Sequence, residues 1–197
     1  GLAMAGWSLA EGIQVEPALR VEVTRKLAAR LSASKTSSDF ALLSAALTDA
    51  DPAAMRDWIG NVLSGRDPAL QKRVLASLIP DLGLEAAKPF LPTLTKFLAD
   101  PRADAGLRAQ CSLAFAKLKP SADPELMNAL FAAARDQYDE TLKRAAVWAC
   151  CELGGFERFG LLKIPAGEFL MGSADSDRYA DAEEKPQHTL FLPDYYI

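Results

Sequence analysis

The sequence predicts a mainly α fold, an α-solenoid of stacked helical hairpins followed by a short β-containing C-terminal segment. Three observations predict it. Apolar residues recur at three- and four-residue spacing through most of the chain, an internal repeat has a period in the middle thirties, and the character changes abruptly at Gly154-Gly155. The 197 residues are 50% hydrophobic and 24% charged, which is enough to bury a core and unlike a disordered chain.

Taken in order, residues 1–13 show no helical pattern around Trp7. They begin with Gly rather than Met and carry no Lys or Arg before Arg20, so they lack the basic start of a secretory signal. This stretch is read as a linker, or as the remnant of a cut or engineered end. The helical domain is expected over residues 14–156. Leu19, Val23, Leu27 and Leu31 recur every four residues, and Phe40, Leu43 and Leu47 follow the polar break SASKTSSD, where a Ser or Asp can cap the next helix. Asp51-Pro52 opens a helix with Met55, Trp58, Ile59, Val62 and Leu63 on one stripe. Asp67-Pro68 opens another with Leu70, Val74 and Leu78, and Asp123-Pro124 a third with Leu126 and Leu130. Asp followed by Pro is a start signal with a mechanism, because the carboxylate takes an orphan N–H at a point where proline has none to lose.

The repeat appears when DPALQKRVLASLIPDLG, DPRADAGLRAQCSLAFAKL and DQYDETLKRAAVWACCELGG are aligned. Arg73, Arg108 and Arg144 fall in register, 35 and 36 residues apart. Partner helices lie between them, one with Phe90, Leu91, Leu94, Phe97 and Leu98, the other with Leu126, Leu130 and Ala133. Two helices per unit at this period mark an α-solenoid. The units resemble HEAT or armadillo-type hairpins, closely over residues 67–154 and more loosely over 14–66. Pro89 and Pro92 fit that resemblance, since the first helix of such a repeat is often bent by proline. Ala109, Ala145, Ala146 and Ala149 are read as packing positions where helices approach closely. Trp58 and Trp148 are read as core, and Trp7 as docking on the first helix or on a partner.

After Gly154-Gly155 the pattern is no longer helical. Leu161, Leu162 and Ile164 form a strand-like run, PAGE reads as a turn, Phe169–Gly172 as a second strand, and HTLFLPDYYI is extended again. An acidic loop runs from Ser173 to Gln187 between them. The residues Pro165, Gly167, Phe169, Met171, Gly172, Ser173, Glu184, Pro186 and His188, with Phe191, Tyr195 and Tyr196 after them, match in order the opening of a formylglycine-generating-enzyme (sulfatase-modifying-factor) domain. Segment 160–197 therefore resembles the N-terminal part of that domain. The resemblance implies an irregular, C-type-lectin-like fold. It carries over no catalysis, because the family's reactive cysteine pair and metal sites belong to a later part of the domain. Phe169, Leu170, Met171, Leu190 and Phe191 are expected to form a small core, and a hairpin this short must find further partners to be stable in water.

Charge narrows the function. Residues 1–160 carry 19 acidic and 19 basic side chains, and residues 161–197 seven acidic and three basic, which makes the net charge −4. A neutral body with an acidic tail argues against nucleic acid and anionic membrane surfaces as partners. No apolar run is long enough to cross a membrane. Cys111, Cys150 and Cys151 are an odd set without CxxC spacing, read as buried thiols of a cytoplasmic protein. His188 is the sole histidine and is read as structural. The acidic loop with Asp175, Asp177, Asp181, Glu183 and Glu184 does not follow the EF-hand pattern, since its fifth and sixth positions are Tyr179 and Ala180. Neither common phosphate-binding glycine motif is present. No catalytic, cofactor-binding or metal-binding residue is assigned, and no cofactor is expected. The expected function is that of a non-enzymatic scaffold or protein-interaction module of a larger bacterial protein, in signalling or defence by analogy of domain arrangement alone. Its partner would be another protein or the remainder of its own polypeptide. The alternatives are a fragment of an enzyme that oxidises a target cysteine to formylglycine, and one product of proteolytic cleavage of a regulator.

Overall fold

The Asp-Pro pairs at Asp51, Asp67 and Asp123 each begin a helix, whereas Asp100-Pro101 forms a turn ahead of the helix that Asp104 caps. Asp51 Oδ1 accepts hydrogen bonds from the backbone N–H groups of Ala53 (3.1 Å) and Ala54 (3.0 Å), and Asp67 Oδ1 does the same for Ala69 and Leu70. Thr36, Asp104, Asp123 and Asp139 cap further helices in the same way. In the computed structural model, which describes residues 1–11, 16–160 and 162–196, the chain divides into two units, Gly1–Leu153 and Gly154–Ile197.

The first unit is helical: α1 (Leu2–Ala10), α2 (Pro17–Ser32), α3 (Ser37–Ala50), α4 (Pro52–Ser64), α5 (Pro68–Ser77), α6 (Gly83–Ala87), α7 (Leu91–Ala99), α8 (Ala105–Leu118), α9 (Pro124–Ala134) and α10 (Glu140–Glu152). Between α5 and α7 the chain breaks into short 3-10 turns, Pro80–Leu82 and Lys88–Phe90, around Pro80 and Pro89. Helices α5, α8 and α10 carry the three register arginines and pack side by side as one layer. Helices α7 and α9 form the facing layer, each antiparallel partner completing a hairpin with α8 or α10. This is a helical-repeat fold. Its core holds the residues the stripes named, among them Leu27, Leu31, Phe40, Leu47, Ile59, Val74, Leu94, Leu98, Leu126 and Leu130, each almost fully withdrawn from solvent. The small residues act as expected: Ala109, Ala145, Ala146 and Ala149 are all buried.

Three expectations change. Residues 2–10 are not a linker but helix α1, which packs on α2 and α3. The signal was a glycine: a Cβ on Gly6 would stand 2.9 Å from the Ala46 carbonyl oxygen and from Leu27 Cδ1, so α1 lies against its neighbours where a side chain does not fit. The expected border at residues 13/14 lies outside the described residues. Leu19 sits at the solvent end of its stripe, 51% exposed. Trp148 is 44% exposed rather than buried, its ring held on the helix surface by an Nε1–H bond to Glu152 (3.0 Å) one turn on. Trp58 is core, and Trp7 is half-buried.

The second unit opens with a 3-10 turn, Phe156–Phe159, and contains two antiparallel pairs. Strand β1 (Lys163–Ile164) pairs with β4 (Tyr195–Tyr196), and β2 (Gly167–Met171) with β3 (His188–Leu192), in register Gly167↔Leu192 to Met171↔His188. Leu161 and Ile197, both within segments expected to be extended, lie outside the described residues. The expected small core does not form here. Phe169, Leu170, Met171, Leu190 and Phe191 remain 38–71% exposed, because a two-stranded sheet has no second layer of its own to cover either face.

Candidate functional site

The register arginines show where the helical unit is unlike itself. Arg108 on α8 is buried. Its Nε donates to the Leu98 carbonyl (3.1 Å) and its Nη1 lies 3.5 Å from Asp136 Oδ2, with only 8% of the arginine side chain exposed. Asp136 spends its other oxygen on the N–H groups of Tyr138 and Asp139, and these bonds, followed by the Arg108 charge, hold its carboxyl below the ordinary range. Arg144 on α10 pairs with Glu140 one turn back (3.1 Å) in full solvent. Arg73 on α5 makes no ion pair among the described residues. At the 35-residue spacing of Arg73 and Arg108 the counterpart of Asp136 is Pro101, and the neighbouring Asp100 has its Oδ1 accepting from Arg102 N–H (2.9 Å). Arg73 turns the other way, donating from Nη1 to the Ser34 carbonyl (2.7 Å) and standing 5.3 Å over the Phe40 ring.

That turn follows from packing. Helices α5, α8 and α10 touch along their length, whereas α3 and α5 barely meet. The gap is a trough of about 460 Å³ whose floor is Phe40 and Met55, with Leu78 and Leu82 on one wall and Arg73, Asp49 and Asp81 as its charged groups. Phe40 is fixed from the far side by Trp58, ring centroids 6.2 Å apart at 54°, and Trp58 in turn donates from Nε1 to Ser32 Oγ (2.9 Å). The α4–α5 corner is locked by the buried Gln71 amide, which donates to the Leu63 and Gly65 carbonyls. Arg73 is thus held at one edge of its guanidinium, with Nε and Nη2 unspent among the described residues. Sequence reading found this arginine as a register mark and Phe40 as core. What it missed was the trough, for which the one signal is that the position 28 residues after Arg73 is Pro101, where Arg108 has Asp136 at the same offset.

In the second unit the motif residues converge. Gly172 sits at φ +87°, and a Cβ there would lie 2.6 Å from the Glu184 carbonyl oxygen and 3.1 Å from that of Pro186. Ser173 N–H donates to the Glu184 carbonyl (2.7 Å), Ser173 Oγ to Glu184 Oε2 (3.3 Å), and Gln187 Nε2 to the Gly172 carbonyl (3.3 Å). His188 is exposed with Nδ1 3.1 Å from the Pro186 carbonyl oxygen. The acidic loop folds around Lys185, whose Nζ donates to the carbonyls of Asp177 (2.8 Å) and Asp175 (3.3 Å). Phe169, Met171 and Phe191 belong to the strands this closure joins. Ala166 N–H donates to the Asp194 carboxylate, which ties Pro165 and Gly167 to the end of the unit.

The cysteines lie on helices α8 and α10 of the first unit. Cys111 is buried on α8, which pushes its thiol up to about 12, whereas Cys151, expected to be buried, is only partly so, its thiol raised by that burial and then by Glu152. Both thiols are protonated near neutrality, the less nucleophilic form. No helix among the described residues is long and apolar enough to cross a membrane.

No protein-family model and no curated protein matches the chain. A solved structure of human deoxyhypusine hydroxylase in complex with glycerol is similar, with a TM-score of 0.47 and 20% identity over 66% of this chain. The match spans 43% of that protein, less than half its length.

Proposed function

We propose that this chain is a non-enzymatic scaffold, a HEAT-like protein-interaction module of a larger cytoplasmic bacterial protein, whose residues 160–197 open a formylglycine-generating-enzyme-like domain. The observation that carries the reading is the uncovered hairpin. Phe169, Leu170, Met171 and Phe191 are 48–71% exposed on a two-stranded sheet, while the motif residues Gly172, Ser173, Glu184 and Pro186 close that sheet through backbone bonds. A sheet with a specified closure and apolar faces is built to be covered by more polypeptide, from the same chain or from a partner. The helical unit has its own capped helices and core. Its neutral charge balance favours a protein partner over nucleic acid or a membrane surface.

The test is the mass of the protein made from its own gene, native and denatured. A polypeptide longer than this chain, or a second polypeptide that stays bound, is the expected result. A free 197-residue product with an exposed hairpin contradicts the reading. Incubation of the chain with a cysteine-containing peptide under air is expected to yield no aldehyde. Formation of one would move the assignment to the enzyme reading, which rests on the family resemblance of the same hairpin.

A further inference from the structure

We infer that the trough between α3 and α5 binds an extended polypeptide segment carrying a carboxylate side chain and, four residues on, a basic one. The inference rests on the reading of this chain as a protein-interaction module and names where and what it binds.

The two register mates of Arg73 each have a carboxylate, Asp136 for Arg108 and Glu140 for Arg144. Arg73 has none among the described residues, although a guanidinium this close to a buried ring has lost part of its hydration. It is held rather than loose: Ser34 fixes Nη1, and Phe40 lies under the plane with Trp58 behind it. The unspent Nε and Nη2 form the fork that takes both oxygens of one carboxylate. Holding the fork in advance lowers the ordering cost of binding.

The rest of the trough sets the second requirement. Asp49 and Asp81 line it, are exposed, and have no ion pair among the described residues. A ligand that offered carboxylates alone would meet two like charges. A ligand with one carboxylate and one cation matches all three groups. Phe40 and Asp49 are nine residues apart on α3, or about 13 Å along the axis at 1.5 Å per residue. Four residues of extended chain span the same ~13 Å and return their side chains to one face. A free amino acid or a small dicarboxylate cannot reach across that distance with both charges, whereas a peptide does so with an apolar side chain midway over Leu78 and Leu82. Asp100 is the internal competitor, one residue before the position where the repeat would place a partner for Arg73, and its Oδ1 accepts from Arg102 N–H.

The experiment titrates the intact chain, labelled with nitrogen-15, while following the Arg73 Nε–H resonance, assigned with the Arg73→Lys variant. The probe is a capped hexapeptide, leucine-glutamate-serine-leucine-serine-lysine. The resonance is expected to shift, and the peptide with glutamine in place of glutamate is expected to bind about tenfold more weakly, the effect of one charge-assisted hydrogen-bonded pair. Arg73→Gln removes that preference. If Arg73→Gln fails to fold, Arg73→Lys keeps the charge without the fork and should cut the preference by more than half. Three results overturn the inference: equal binding of the glutamate and glutamine peptides, a shift as large with free succinate as with the peptide, or a resonance that moves on Asp100→Asn with no peptide present. A failure here leaves the mass measurement above untouched, so the two readings fall separately.

Discussion

Arg108 shows what a single side chain does in a stack of repeats. It ties the end of α7 to the turn before α10, and because it is buried its carboxylate partner cannot be replaced by water. Asp136→Ala is therefore expected to lower the melting temperature clearly more than Glu140→Ala, which removes an exposed pair worth little. Equal effects would place Arg108 in solvent. Asp104, Asp136 and Glu152 all have carboxyls held below their ordinary range, chiefly by backbone N–H groups for the two aspartates and by Lys119 for Glu152. A carboxyl with a folded-state pKa below its unfolded value stabilises the fold above the unfolded value. That contribution is lost as pH falls through the folded one. The urea midpoint should thus hold from pH 7 to about pH 5 and drop below about pH 4. Thr24 Oγ1 is buried without a hydrogen-bond partner among the described residues. Thr24→Val removes an unpaired hydroxyl at equal shape, and is expected to be neutral or stabilising by up to about 1 kcal/mol in urea unfolding. A loss of that size would mean the hydroxyl is satisfied in solution.

Helix starts were the most legible elements, because Asp-Pro couples a side-chain acceptor to a residue without a donor. Asp51→Ala and Asp67→Ala should each cost about 1 kcal/mol. The repeat was legible through the arginines, which lie on equivalent helices. Helix α1 was not, since its segment has no polar face to give a period and declares itself only where Gly6 meets Ala46 and Leu27. Trp148 was misjudged because Ala145, Ala146 and Ala149 around it are buried, and an aromatic in an apolar run is indistinguishable by composition from one on the outer edge of the stripe. In the second unit the strands were legible as extended runs, but their exposure was not, since alternation says which residues share a face and nothing about what covers it. Gly172→Ala would need a side chain at φ +87° and 2.6 Å from a carbonyl oxygen. Loss of at least about 1–2 kcal/mol from the hairpin is expected, read as faster amide exchange across β2 and β3. Unchanged exchange would show that this closure does not hold the hairpin.

At the scale of the whole molecule, the helical unit carries a buried core and the strands of the second unit leave their apolar residues exposed. The trough between α3 and α5 was out of reach of sequence reading for the same reason as the bare hairpin: both are defined by what two neighbouring elements fail to cover. The repeat supplies arginines at regular intervals, but whether a given one meets its aspartate depends on how far two helices part, which no local pattern records. Amide hydrogen exchange on the intact chain tests this division most directly. Backbone amides of α8, α9 and α10 should exchange only through global unfolding, orders of magnitude more slowly than those of Gly167–Met171 and His188–Leu192. Protection of the hairpin equal to that of α8 would contradict the account, because it would mean that the sheet is already covered in this chain and needs no further polypeptide.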